Sequence, residues 1–214
     1  MMLHRTVRWA TCVAVLSSAG VLSSTPPSLA GAAPQQPAAA VDASKLPKGK
    51  QTTLGLYVTA AQAYEMWKAA PDKVKVIDVR TPEEFAFVGH PEMAWNIPIA
   101  FVTYESKGGK FLYGHRANTA FVEQVRGLAK PDDVLLLTCR SGGRGAMAVN
   151  ALAAAGFTKA YNIVDGIEGD PVQDPDSVYN GKRMKNGWKN SAPWGYTIDP
   201  ERIILQEGAA GQKK

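Results

Sequence analysis

The strongest constraint on the fold is an alternation of short apolar runs with stretches carrying helix signals. "KVKVIDV" (Lys73 to Val79), "AWNIPI" (Ala94 to Ile99), "DDVLLLTC" (Asp132 to Cys139) and "KAYNIV" (Lys159 to Val164) are each too short for a buried helix and read as strands. Between them lie helix patterns with explicit starts. Thr59 followed by Gln62 is a capping box opening "AAQAYEMWKAA", which stops before Pro71. Thr81, Pro82 and Glu84 open a second helix. Asn118 to Lys130 carries Phe121, Val125 and Leu128 on one face, and Gly143 to Ala155 ends at Gly156. Strands alternating with helices at this spacing predict a parallel sheet with helices on both faces, which binds ligands beyond the carboxyl ends of its strands.

Residues 1–33 are set apart from that pattern. His4, Arg5 and Arg8 precede the apolar run "WATCVAVLSSAGVLSS", and small residues follow at Ala30 to Ala33, so the reading is an export signal cleaved there, without a stable membrane anchor. Residues 34–53, rich in Ala and Pro, are expected to be a disordered leader, residues 54–200 the folded domain, and residues 201–214 a tail. Removal of residues 1–33 leaves 22 basic against 19 acidic residues, a mild excess with dispersed cations that speaks against nucleic acid as a partner. It also removes Cys12, leaving Cys139 as a lone thiol in an oxidising compartment, read as a bacterial periplasm.

Cys139 ends the most hydrophobic strand and is followed by Arg140, Ser141, Gly142, Gly143 and Arg144. Three features favour negative charge on that sulfur: inward-turned amides of a glycine-bearing loop, the N-terminus of the next helix, and two arginines. A phosphoryl-binding loop of the Cys-x5-Arg kind would need arginine at position 145, which is Gly145. The tighter Cys-x4-Arg spacing favours a small sulfane sulfur over a phosphoryl group.

"CRSGGR", with "VIDVRTPEEF" and "GHPEMAWNIP" upstream and "YNIVDGIEG" downstream, resembles the rhodanese (thiosulfate sulfurtransferase) family over about residues 56–169. The resemblance implies a rhodanese-like five-stranded parallel sheet and a ping-pong cycle. Cys139 would take sulfur from a small anionic donor such as thiosulfate, and the resulting persulfide would pass it to cyanide or a thiol, including a protein thiol. Arg140 and Arg144 would hold the donor, and the amides of residues 140–144 the persulfide. A sulfur-carrier or redox-sensing module acting on partner proteins would use the same thiol. A catalytically idle binding domain fits less well with the retained cysteine and arginines.

Asp78 and Arg80 match the family's Asp-x-Arg and are read as supporting residues, Arg80 bridging to Glu84 and Asp78 bonding backbone near the loop. His90 is read as tying down a loop, and Trp95 as lining the approach to the site. His115 stands apart, so no metal-ligand spacing exists, and no nucleotide fingerprint is present, so no cofactor is expected. A polar insert at residues 170–186, with Lys182, Arg183 and Lys185, displaces "GWKNSAPWGY", whose Trp188, Trp194 and Tyr196 are expected to pack back on the domain.

Overall fold

Five short strands, β1 (Tyr57–Val58), β2 (Val74–Asp78), β3 (Trp95–Asn96), β6 (Val134–Thr138) and β7 (Ala160–Ile163), form one parallel sheet. Their order across it is β1-β7-β6-β2-β3. A separate two-stranded sheet pairs β4 (Ala100–Lys107) with β5 (Lys110–Ala117). The computed structural model describes residues 40–205, so the export segment lies outside the described residues. Among them no helix is long and apolar enough to cross a membrane.

Helices cover both sides of the parallel sheet. On one side, Ile77, Leu135 and Leu137 pack with Phe121 and Val125 of α3 (Phe121–Leu128) and with Val149 and Leu152 of α4 (Gly143–Ala154). On the other, Val76, Leu136 and Ile163 meet Ala60 and Ala63 of α1 (Ala60–Ala69), Phe85 of α2 (Pro82–Val88) and Trp188 of α5 (Trp188–Ser191). Residues facing both ways along β6 are therefore apolar, which is why it reads as one continuous run. Both capping boxes form: Thr59 exchanges hydrogen bonds with Gln62, and Thr81 with Glu84. Asn118 serves α3 without being its cap residue, accepting from the Ala120 amide and donating to the Pro98 carbonyl.

Four segments differ from the sequence expectation. Residues 43–45 and 48–50 form single helical turns, and the segment is tied to the domain where Asn162 donates to the Lys50 carbonyl and Thr53 to Asn150. The disordered leader therefore does not extend to residue 53. The bonds that order its end come from side chains about 100 positions away, and no local periodicity marks them. Residues 100–117, to which the sequence assigned no element, form a β-hairpin of eight cross-strand pairs turning at Gly108 and Gly109, both at positive φ. Its outer half is exposed on both faces, so no buried stripe marks it as strand. Tyr196 is 60% exposed and stays outside the core, while Trp188 is fully buried and Trp194 lies over Gly89. Finally, Ile203 bridges to Asn96 in parallel, so the segment beginning at residue 201 runs along the β3 edge.

Asp165 fastens two segments far apart in sequence to the end of β7, accepting from the Ala60 amide at the start of α1 and the Gly187 amide before α5. Burial pushes its carboxyl up, against the pull of those two amides. Trp188 follows directly, edge-on to Tyr64 and donating its indole N–H to the Pro193 carbonyl. We expect Trp188→Ala to cost about 3–5 kcal/mol in urea denaturation, the range for truncating a buried aromatic. A loss within error of zero would remove the tail from the core.

Candidate active site

β6 is the middle strand of the sheet, and it delivers Cys139 at its carboxyl end, 1% exposed and among the apolar side chains under α3 and α4. The chain then turns through Arg140 to Gly142 into α4. That turn is fixed from outside by the loop after β7: the Ile167 amide donates to the Cys139 carbonyl at 2.7 Å, and the Glu168 amide to the Arg140 carbonyl at 3.0 Å. With the carbonyls taken up there, the Gly142 amide points at the sulfur and donates to Sγ at 3.1 Å. Two glycines permit this contact. Gly142 has φ 96°, and a Cβ on it would press into the Val164 carbonyl. Gly166 has φ 63°, and a Cβ there would press into the Cys139 carbonyl and the Arg140–Ser141 peptide. Ser141 thus sits against Gly166, and Gly143 opens α4, whose N-cap position is Gly142 with no side-chain cap.

The two loop arginines each meet a carboxylate. Arg144 forms a bidentate pair with Glu84, Nη1 to Oε2 at 2.5 Å and Nη2 to Oε1 at 2.6 Å. Burial alone would raise the Glu84 carboxyl, but the hydrogen bonds and charge of Arg144 outweigh it and hold the carboxyl below the usual glutamate range. For Arg144 burial likewise opposes the charge, and Glu84, followed by Cys139 and Asp78, more than restores it. The guanidinium therefore lies within electrostatic reach of the sulfur. Arg140 is exposed, with its Nε 3.2 Å from Glu168 Oε2.

Asp78 and Arg80 are fully buried and paired with each other, Nη2 to Oδ2 at 2.6 Å, with the Arg80 amide also donating to Oδ1. This corrects one expectation. Glu84 is taken by Arg144 and not by Arg80, whose remaining reach goes to the Gly89 carbonyl. Asp78 does bond backbone, accepting from the Arg80 amide beside the strand that leads to Cys139, and the rest of its carboxylate goes to the Arg80 side chain. His90 stacks on Phe85 and contacts the Phe85 and Thr197 carbonyls through its ring nitrogens. Trp95 packs half-buried against the core with the Arg202 guanidinium over its ring.

Sequence reasoning missed two site residues and gave a third the wrong partner. Glu84 was read as a helix cap and as the partner of Arg80, whereas it holds Arg144. Asn96 donates to the Asp78 and Arg80 carbonyls and holds that corner of the site. Glu168 partners Arg140; it lay in the quoted "DGIEG" stretch, but nothing local pointed it at the loop. Among the described residues no group of three or more His, Cys, Asp or Glu is placed to hold a metal ion.

This arrangement, a thiol at the end of a central parallel strand inside a clamped six-residue loop, is matched by a known family. The rhodanese-like domain matches residues 59–169, and the chain belongs to that family. Among curated relatives it is 39% identical over 92 residues to thiosulfate sulfurtransferase 16, chloroplastic, of Arabidopsis thaliana, covering 43% of this chain and 69% of that protein. It is 38% identical over 92 residues to senescence-associated protein DIN1 of Raphanus sativus, covering 43% of this chain and 45% of the relative. The chain spans about half the length of several of the curated relatives it matches. The crystal structure of Rv0390 from M. tuberculosis is similar with a TM-score of 0.50 and 28% identity, covering 65% of this chain and 96% of that one.

Two outcomes follow from this geometry. Because Glu84 has a depressed carboxyl, its pair with Arg144 stabilises the fold above the unfolded-state value of about pH 4.3 and is lost as pH falls through the lower folded value. Urea midpoints across pH should therefore show Glu84→Gln weaker than wild type by about 1.5–3 kcal/mol near neutrality, with the gap closing in acid. A constant gap at all pH values contradicts the pairing. Gly166→Ala should lower stability by about 2 kcal/mol or more, since a left-handed φ and a backbone collision combine. A variant as stable as wild type would mean that the clamp yields freely.

Proposed function

We propose that the protein is a sulfurtransferase that carries sulfane sulfur as a persulfide on Cys139. The observation that supports this best is the Gly142 amide 3.1 Å from a buried sulfur, in a loop whose outer carbonyls are already bonded elsewhere. Such a loop offers backbone N–H groups to a negative sulfur with little reorganisation.

In the first half-reaction the Cys139 thiolate attacks the outer sulfur of thiosulfate. A sulfur–sulfur bond forms at Sγ, the bond to the sulfonate breaks, and its electron pair leaves with sulfite. The protein holds the anionic persulfide, stabilised by the amides of Arg140, Ser141, Gly142, Gly143 and Arg144. Arg144, fixed by Glu84, supplies the positive field beside it, and Arg140 attracts the anionic donor at the surface. Asp78 and Arg80 act as a buried support for the adjoining strand end. In the second half-reaction a thiol or cyanide attacks the outer sulfur, and the electron pair of the breaking bond returns to Sγ as thiolate. Only 1% of Cys139 is exposed, which fits attack on the terminal atom of a small donor. The basic and apolar segment before residue 34 supports a reading in which the protein works after export, in a periplasm.

The test is thiocyanate formation from thiosulfate and cyanide by wild type and Cys139→Ser. Wild type should turn over and the serine variant should fall to background. Equal rates in the two proteins would end the enzyme reading.

A further inference from the structure

The insert at residues 170–186 does not trail into solvent. It is pinned by bridges between Pro171 and Arg183 and between Val172 and Asn180, by Asn186 bonded to Asp170, and by the Arg183 guanidinium on the Gly169 carbonyl. So held, it forms one wall of an open bowl of about 690 Å³ whose other wall begins at Arg140 and Glu168. Arg140 is the residue directly after Cys139, so the bowl adjoins the loop. Lys182, Arg183 and Lys189 add three further cations to its lining. Glu168 is its only carboxylate, and it is engaged by Arg140; among the described residues no acid pairs with Lys182 or Lys189. The same wall carries Tyr179 and Met184, 54% and 46% exposed.

Thiosulfate is far too small to fill this space, and an inorganic anion would leave Tyr179 and Met184 without a partner surface. A basic bowl with aromatic and thioether walls suits an organic molecule with more than one negative charge. We propose that the insert forms an acceptor subsite selecting a small organic thiol that bears two carboxylates. This rests on the sulfurtransferase reading above and specifies its second half-reaction. The carboxylates dock on Lys182 and Lys189, and Arg140 guides the thiol end to the loop. There the acceptor sulfur attacks the outer sulfur of the persulfide, about 2 Å beyond Sγ. The new sulfur–sulfur bond forms as the bond to Sγ breaks, and the electron pair returns to Cys139 as thiolate. The thiol proton ends on the transferred sulfur, so no external oxidant or reductant takes part.

The experiment compares mercaptosuccinate, a dicarboxylate thiol, with neutral mercaptoethanol on the same thiosulfate-loaded protein. The readout is the ratio of their kcat/KM values, in which any general loss of activity cancels. Wild type should prefer the dicarboxylate, and the preference should shrink as salt is raised. Lys182→Glu and Lys189→Glu should each lower the ratio by about tenfold, through KM for the dicarboxylate, and Lys182→Arg should keep it. No preference in wild type, or a ratio unmoved by both charge reversals, overturns the subsite. Sulfite release from thiosulfate without any acceptor separates the two levels. If release is normal while the ratio fails to move, only the bowl assignment is wrong; if wild type releases no sulfite, the sulfurtransferase reading falls and the subsite with it.

Discussion

Two backbone hydrogen bonds, from the Ile167 and Glu168 amides to the Cys139 and Arg140 carbonyls, determine what the rest of the site can be. A chain leaving a parallel strand at its carboxyl end has no ladder to follow, and its carbonyls could as easily face the sulfur as its amides. Binding the carbonyls to the neighbouring loop leaves the amides free to turn inward, and the Gly142 N–H on Sγ is the direct result. The clamp depends in turn on β6 and β7 being adjacent, with Leu137 beside Asn162, so that both strands end at the same level. Sheet order, glycine placement and the polarity of the loop are one connected requirement.

Electrostatics adds a second layer. Arg144 is bound by Glu84 and Arg140 by Glu168, while Arg80 is shut in with Asp78. The three pairs differ in exposure and so in consequence. The Asp78–Arg80 pair is sealed, and breaking it would strand a charge in the interior. The Arg144–Glu84 pair is partly open and fixes the guanidinium within electrostatic reach of the sulfur. The Arg140–Glu168 pair lies at the surface, screened by water, where it contributes little to stability and leaves Arg140 able to meet an incoming anion.

Local signals were the legible ones. The capping boxes at Thr59 and Thr81, the glycine after α4 and the unbroken apolar run of β6 each depend on a few consecutive residues, and each is present as read. Position 145 was legible as a count, and the structure adds that a Cβ there would press on the Asn162 side-chain oxygen, so any side chain at 145 requires Asn162 to shift. What escaped reading depends on partners remote in sequence or on an absence of burial. Arg144 meets Glu84 across 60 positions, Asn162 fastens Lys50 across 112, and the hairpin at residues 100–117 is exposed on both faces of its outer half. Trp95 looked like a lining residue because it sits near the family's site motif, yet its ring is occupied by Arg202 from the far end of the domain.

The central claim is chemical: the clamped loop lets Cys139 keep a sulfur atom. Intact-mass and peptide analysis of protein treated with thiosulfate, with excess reagent removed and no acceptor present, tests it directly. The account predicts one added sulfur, located on the peptide containing Cys139 and released by cyanide. Unmodified protein, or sulfur found away from Cys139, would contradict it.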